Sequence, residues 1–148
     1  MSTYTQVIYQ IVFGTKHRNK TLEKPHRDQL FKYITGLLQK KQCHLYQIGG
    51  VEDHIHILTD LHPTIALSSL VKDIKMATTD YIKRENLFPD FRGWQNGYGA
   101  FTYSIREKDR LIEYVKRQEQ HHRKLSSKEE YMMILKEEEV EYDEQYIL

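Results

Sequence analysis

VEDHIHIL, the stretch at residues 51–58, carries the pattern on which the expected fold rests. Its β-branched and aliphatic residues favour a β-strand, and side chains alternate between the two faces of a strand. His54 and His56 therefore project from one face. Ile55 and Ile57 point to the other. Two imidazoles side by side on a rigid element form half of a metal site, although a bare His-x-His is more often a strand with two partly exposed histidines.

The segments around this strand predict the first half of the fold. β-Branched and aromatic residues predict an opening strand over residues 4–13. Apolar residues at helical spacing after Pro25 predict a helix, because proline is tolerated in a first helical turn. Residues 43–48 predict a second strand, and the glycine pair at 49–50 predicts the turn of a hairpin to residues 51–58.

The next segments predict a helix, a loop and a strand. Apolar residues at helical spacing after Pro63 predict a helix to about Arg84, with Thr64 as its candidate cap. Glycine and proline across residues 86–99 predict a loop. Residues 100–103 then predict a fourth strand.

Two capping boxes predict the helices at the C-terminal end. Ser104 with Glu107 opens a helix through roughly His122, and Ser126 with Glu129 opens a last helix. The order strand, helix, strand, strand, helix, strand, helix, helix predicts an α+β fold. We expect a ferredoxin-like antiparallel sheet with helices on one face and added C-terminal helices.

Composition limits the class of protein. The 148 residues are 39% hydrophobic, which suits one globular domain over residues 1–148. The 22 basic and 21 acidic residues leave a net charge of +1, but an acidic tail from about residue 137 makes the rest of the chain basic. A nucleic-acid-binding face is therefore allowed but not required. A lone Cys43, without a signal peptide or membrane-length apolar run, predicts a soluble cytoplasmic protein.

A second functional pattern lies near the C-terminus. Tyr114 and Gln118 are four residues apart on a predicted helix, hence on one face, and offer a hydroxyl nucleophile and an amide ligand. Leu111 and Val115 lie nearby, so Tyr114 could equally be an ordinary core residue of an amphipathic helix. The functional interpretation requires this helix to face the histidine strand.

In combination, these motifs resemble the single-tyrosine transposases of small bacterial insertion sequences, the TnpA-type branch of the His-hydrophobic-His nuclease superfamily. The resemblance covers nearly the whole chain. It is carried by the opening strand, the Asp-His-Ile-His-Ile-Leu strand, the segment GWQNGY at residues 93–98, and the Tyr-x-x-x-Gln helix followed by EQHH at residues 119–122.

The resemblance implies a function and a site. His54 and His56 match the paired metal ligands, Gln118 the third ligand, and Tyr114 the nucleophile. It further implies a Mg²⁺ or Mn²⁺ cofactor, single-stranded DNA ends that fold into hairpins, a covalent phosphotyrosine, and a homodimer in the bacterial cytoplasm. A tyrosine hydroxyl has a pKa of about 10, so the reaction needs activation or a strongly polarised phosphate.

Other donors near these motifs compete for the metal. Glu52, Asp53, Asp60, His121 and His122 are all candidates, and Glu52 would share the face of the histidines by alternation. His121 and His122 could instead be cations at a helix end. Magnesium prefers oxygen ligands, whereas paired imidazoles suit manganese, zinc or other transition ions better.

The candidate DNA-binding residues are basic. Lys16 and Arg18 follow the first strand, and Lys72 and Lys75 lie on the second helix, although each could belong to a solvated surface. Candidate surfaces for stacking of unpaired bases are Trp94, Tyr98 and Phe101, which are more often core residues. Two alternatives stay open: a noncatalytic nucleic-acid-binding module of the same fold, and a metal-dependent hydrolase with a water nucleophile.

Overall fold

A computed structural model describes residues 2–147 of the chain. Within that range it has four β-strands and five α-helices. In chain order they are β1 (Tyr9–Gly14), α1 (Lys24–Lys40), β2 (Leu45–Gly50), β3 (His54–Thr59), α2 (Leu67–Arg84), β4 (Gly99–Thr102), α3 (Lys108–Lys116), α4 (Gln118–His121) and α5 (Ser127–Glu137). Short 3₁₀ turns occupy Lys16–Arg18, Ile105–Glu107 and Glu144–Tyr146.

The four strands form one antiparallel sheet in the order β2-β3-β1-β4. The histidine strand β3 is therefore central and pairs on both sides. In its register with β1, His56 lies opposite Val12, and His54 lies opposite Gly14. This topology confirms the predicted α+β ferredoxin-like sheet.

Helices α1 and α2 cover one face of this sheet. Their apolar side chains pack on Ile11 and Phe13 of β1 and on Ile55 and Ile57 of β3. All four sheet residues are fully buried, and burial of each such side chain contributes roughly 1.5–3 kcal/mol. Pro25 lies in the first turn of α1, as predicted. This half of the core keeps β3 rigid.

Helices α3 and α5 cover the other face, on which both histidines lie. These are the added C-terminal helices. They are joined to the sheet by two apolar clusters, one of Ile8, Leu58, Leu111 and Val115 and the other of Val12, Phe101, Ile134 and Leu135. The site therefore lies between a central strand and two packed helices.

The predicted hairpin turn is wrong. Gly49 and Gly50 are the last residues of β2, and the turn consists of residues 51–53, closed by a hydrogen bond from the Val51 amide to the His54 carbonyl oxygen at 3.1 Å. Gly49 lies within the strand because the backbone of Val115 in α3 packs directly over it. A side chain there would collide with α3.

Five elements have boundaries that differ from prediction. β1 starts at Tyr9 and not at the predicted Tyr4, which is 90% exposed and lies outside the sheet. α2 starts at Leu67 with Ala66 as its cap, since the Thr64 hydroxyl instead contacts the ring of His62 at 2.7 Å. β2, β3 and β4 are each displaced by one to three residues from the predicted strands.

Both predicted capping boxes are present, at Ser104 with Glu107 and at Ser126 with Glu129. The helix after Ser104 does not continue to His122, however. The backbone leaves the helical region at Arg117 (φ −98°, ψ 25°), which separates α3 from the short α4. Among the described residues, no helix is both long and apolar enough to cross a membrane.

Candidate active site

His54 and His56 lie side by side on the face that α3 and α5 cover, with ring centroids 5.0 Å apart. His54 is 4% exposed and His56 is fully buried, so neither is a solvent-facing histidine of an ordinary strand. Their Nδ1 atoms have acceptor partners: Oδ1 of Asp53 lies 2.8 Å from His54, and Oε1 of Gln10 lies 2.7 Å from His56. Each Nδ1 therefore carries the hydrogen, and each Nε2 is turned towards the interior of the site.

The two imidazoles differ in charge. Burial lowers the pKa of His54, but hydrogen bonds and charges of Asp53 and Glu130 outweigh it and raise that pKa to about 9. Burial lowers the pKa of His56 below its ordinary value. Asp53 is itself held by the hydroxyl of Ser127, which donates to Oδ1 at 2.5 Å. In the metal-free chain, His54 is the cationic member of the pair.

Gln118 reaches the same point from the start of α4. Its side chain is buried, and its Oε1 lies 3.2 Å from Nε2 of His54. Its Nε2 donates to Oε2 of Glu130 at 3.2 Å. The break at Arg117 thus still leaves Gln118 facing β3, and the structure brings it together with His54.

Tyr114 lies on the last turn of α3, beside the histidines. Its ring lies 6.0 Å from that of His56 and 4.7 Å from that of His121, measured between centroids. Its hydroxyl donates to Oε2 of Glu130. Burial and the nearby charge of Glu130 raise the pKa of this hydroxyl above its ordinary value. The tyrosine is therefore a protonated, hydrogen-bonded phenol before substrate binds.

Glu130, in the first turn of α5, lies at the centre of the site and was not predicted. One carboxylate oxygen, Oε1, lies 3.0 Å from Nε2 of His56, 3.0 Å from that of His122 and 3.3 Å from that of His54. Burial raises its pKa, but the hydrogen bonds and charges of the histidines hold that pKa well below the ordinary value. In the sequence, Glu130 resembles an ordinary acidic residue of a helix N-terminus, and no local pattern singles it out.

The five other donors that the sequence offers for a metal lie in different parts of the structure. His122 reaches Glu130 from the end of α4, and Asp53 orients His54. The ring of His121 instead packs at a tilt against that of Tyr114. The other two lie away from the site: Glu52 is exposed in the turn before β3, which overturns its expected place on the histidine face, and Asp60 accepts a hydrogen bond from the His44 amide at 2.6 Å.

A divalent cation fits this set of donors. Among the described residues, the ligand atoms of His54, His122 and Glu130 lie within 4.8 Å of one another, and the amide oxygen of Gln118 adjoins them. Imidazole nitrogens with carboxylate and amide oxygens make a mixed set, which suits manganese and is compatible with magnesium. Nε2 of His56 lies 3.0 Å from Oε1 of Glu130, so a further imidazole lies beside these donors.

The predicted DNA-binding residues do not form one patch. Lys16 is exposed and Arg18 half-buried in the turn after β1, where Arg18 lines a small cavity with Asp53 and His54. Lys72 and Lys75 lie on α2, which covers the opposite face of the sheet, and Lys72 is exposed.

Lys75 has a structural contact instead of a free ammonium group. Its Nζ donates to the carbonyl oxygens of Gln95 at 3.0 Å and Gly97 at 2.6 Å, which ties α2 to the loop before β4. Trp94 in that loop is also structural, because its Nε1 donates to Thr78 at 2.9 Å and its ring packs edge-on against Phe13. These contacts favour core roles over phosphate binding or base stacking.

Comparisons with known proteins agree with this fold. A candidate transposase from Deinococcus radiodurans R1 aligns with a TM-score of 0.61 and 20% identity, over 80% of this chain and 95% of that one. A REP-associated tyrosine transposase bound to a REP hairpin aligns with a TM-score of 0.58 and 15% identity, over 79% of this chain and 72% of that one. No curated protein matches the chain. The family model described as "Transposase IS200 like" matches residues 3–118, a range that includes His54, His56, Tyr114 and Gln118. By that match, the chain belongs to the family of IS200-like transposases.

Proposed function

We propose that this protein cleaves and rejoins single-stranded DNA at insertion-sequence ends, through a covalent phosphotyrosine on Tyr114 and with Mg²⁺ or Mn²⁺ as cofactor. Its family consists of transposases, which implies a DNA-cleaving enzyme. The observation that carries the proposal is that one carboxylate, Glu130, contacts both the Tyr114 hydroxyl and the imidazoles of His54 and His56. A nucleophile and a set of metal ligands therefore meet within a single chain.

His54, His56 and Gln118 would hold the cation. When bound, a divalent cation offsets negative charge on the oxygens of a scissile phosphate. The protein's own contribution is to fix these ligands in advance. Asp53 and Gln10 set the ring orientation and tautomer of the two histidines, which leaves both Nε2 atoms available.

Tyr114 would act as the nucleophile. Its phenolic oxygen forms the new bond to phosphorus as the bond between phosphorus and the departing DNA oxygen breaks. The phenolic proton leaves Tyr114, and the departing oxygen takes up a proton to become a DNA hydroxyl. Before attack, the Tyr114 hydroxyl must break its hydrogen bond to Glu130 and approach the phosphate. Burial and the hydrogen bond to Glu130 otherwise hold the hydroxyl in its protonated form.

A cleft of about 270 Å³ gives a route to this hydroxyl. It is lined by Tyr114 and Glu130 and also by Gln10, Tyr103 and Arg110. Arg110 is mostly exposed and pairs with Glu107 at 2.8 Å, so a DNA phosphate would have to displace that carboxylate to reach its guanidinium. Glu137 and Glu138 also line the cleft, so Arg110 is one basic group among acidic neighbours.

Rejoining requires no nucleotide cofactor. The phosphotyrosine keeps the energy of the phosphodiester, so the hydroxyl of a second DNA end can reverse the step. The sequence contains no Gly-rich loop of the kind that binds ATP phosphates. Cleavage and joining are then the same reaction run in opposite directions.

We propose hairpin-forming single strands as the substrate and a homodimer as the active form. A related structure holds a REP hairpin, which supports a DNA partner of this kind. One chain already contains Tyr114, Gln118 and both histidines in contact range, so each subunit can supply a whole site. We treat residues 1–148 as one nuclease domain, because α5 contributes Glu130 to that site.

The test is a trapped adduct. The protein is incubated with Mn²⁺ and a labelled insertion-sequence end, offered as single strand, hairpin or perfect duplex, and resolved by denaturing electrophoresis. We expect a labelled protein–DNA adduct with the single strand and the hairpin only. Cleavage without an adduct would support the hydrolase alternative. Binding without cleavage would support the noncatalytic module. Efficient cleavage of the duplex alone would contradict the mechanism.

A further inference from the structure

We propose that Glu130 is a protein ligand of the cation, so that the C-terminal helix α5 completes the metal site. The inference rests on the proposed function and deepens it. The family match ends at residue 118, and α5 begins at Ser127, so this ligand lies outside the matched part of the chain.

The separations between donor atoms are those of neighbouring ligands. Oε1 of Glu130 lies 3.0 Å from Nε2 of His56 and 3.3 Å from Nε2 of His54. Oε1 of Gln118 lies 3.2 Å from the same atom of His54. Adjacent ligands on an octahedral ion with bonds of about 2.1 Å are roughly 3.0 Å apart, which these distances match.

The direction of the lone pairs calls for a cation between these atoms. Nδ1 of His56 donates to Gln10, so a neutral His56 turns the lone pair of Nε2 towards the carboxylate of Glu130. Nδ1 of His54 is directed at Asp53, and the protonated His54 of the metal-free chain donates from Nε2 towards Glu130 and the Gln118 amide oxygen, where a bound cation would take the place of this proton. At His56 an acceptor faces an acceptor, and a bound cation converts that repulsion into coordination.

A carboxylate ligand also meets the preference of magnesium for oxygen ligands. Two imidazoles and one amide leave a hard divalent cation short of anionic oxygen. Glu130 is 3% exposed, and a buried carboxylate is stable only when it is paired or coordinates a metal. Its negative charge makes the mixed donor set suitable for Mg²⁺ or Mn²⁺.

The neighbours of Glu130 are arranged for this role. His122 lies 3.0 Å from Oε1 and can donate to it while a lone pair of the same oxygen binds the ion. The other oxygen, Oε2, accepts from Tyr114 and from the amide of Gln118. Glu130 thereby holds the nucleophile next to the metal position.

The test compares Glu130→Gln with Glu139→Gln, which makes the same chemical change at an exposed position beyond α5. Mn²⁺ affinity of the 148-residue chain is measured by calorimetry and by the electron paramagnetic resonance signal of free Mn²⁺. We expect Glu130→Gln to weaken Mn²⁺ binding at least tenfold and Glu139→Gln to leave it unchanged. Unchanged or tighter binding in Glu130→Gln would overturn the inference; tighter binding with faster cleavage would identify Glu130 as an internal competitor of the phosphate.

A second measurement uses the wild-type chain and does not depend on how a variant folds. The ¹³C resonance of the Glu130 carboxyl carbon is followed during titration with Mg²⁺. A shift that saturates together with the ring signals of His54 and His56 supports coordination, and a carboxyl signal that stays in place contradicts it. A wild-type chain that forms no adduct contradicts the proposed function instead, so the two failures are distinct.

Discussion

Tyr114 on α3 donates its hydroxyl hydrogen to Oε2 of Glu130 on α5. The other oxygen of the same carboxylate faces His54 and His56 on β3. One side chain therefore links the proposed nucleophile to the proposed metal ligands across three elements.

Tyr114→Phe should abolish both strand cleavage and the covalent adduct while leaving DNA binding nearly unchanged. The substitution removes one oxygen from a similar side chain, and Glu130 keeps its hydrogen bond from Gln118. We expect a loss of about 1 kcal/mol in unfolding free energy, from one hydrogen bond. Denaturing gels and urea unfolding measure the two effects. Tyr4→Phe, at a position that is 90% exposed, is the control, and an adduct that persists in Tyr114→Phe would move the nucleophile elsewhere.

His54→Ala and His56→Ala should each weaken Mn²⁺ binding by at least about tenfold, because loss of a direct ligand costs no less than loss of an outer partner. Calorimetry measures the affinity, and circular dichroism checks that the variants fold. His26→Ala, at an exposed position of α1, should bind Mn²⁺ like the wild type. Wild-type affinity in both site variants would make the pair merely structural.

Asp53→Asn should weaken Mn²⁺ binding by about 10–100-fold without removing a ligand. The neutral amide can still accept from Nδ1 of His54, but it no longer makes that imidazole more basic. The pKa of His54 should therefore fall from its raised value of about 9, which NMR titration of the metal-free chain can measure. Asp28→Asn, exposed on α1, is the matched control. An unchanged affinity would exclude a positioning role for Asp53.

Gly49→Ala should destabilise the chain by about 1–3 kcal/mol and reduce cleavage. A Cβ at this position would lie 2.1 Å from the carbonyl oxygen of Val115, so α3 would have to move away from the sheet together with Tyr114. Gly36→Ala is the control, because nothing lies within 4 Å of its added Cβ and alanine is the better helix former. That variant should gain roughly 0.5–1 kcal/mol in urea unfolding. Equal stability of the two variants would contradict this packing.

Lys16→Ala and Lys72→Ala should each lower the salt dependence of single-stranded DNA binding by about 0.7 in the slope of log affinity against log salt. Lys75→Ala should leave that slope unchanged and cost about 1–3 kcal/mol of stability, because its ammonium holds two backbone carbonyls. Fluorescence anisotropy across a salt series and urea unfolding measure these effects. Lys32→Ala, exposed on α1, should change neither. A reduced slope in Lys75→Ala would show that Lys75 contacts the DNA backbone after all.

Local patterns predicted much of the fold. The alternation in β3 placed His54 and His56 on one face, and each capping box started its helix at the expected serine. These features depend on residues a few positions apart, whose geometry follows from backbone periodicity and from one or two hydrogen bonds. The end of α2 at Arg84 was confirmed for the same reason.

The errors arose where distant packing outweighed a local signal. Two adjacent glycines favour a turn, yet Gly49 lies within β2 because Val115, far along the chain, packs on its backbone. The helix that carries Tyr114 ends at Lys116, and Gln118 in the short helix that follows contacts His54 on β3. Neither contact can be recognised from the sequence around the residues that make it.

From its order of residues alone, this chain predicts its strands and helices, the paired imidazoles and the tyrosine with its glutamine, since all depend on short-range spacing. The position of Glu130 at the centre of the site was decided by the tertiary structure. Glu130 meets His56 across 74 positions of sequence, and only the packing of α5 on the sheet brings the two together. Its carboxylate is buried and ionised because the fold surrounds it with histidines, and that environment exists only once distant segments have assembled.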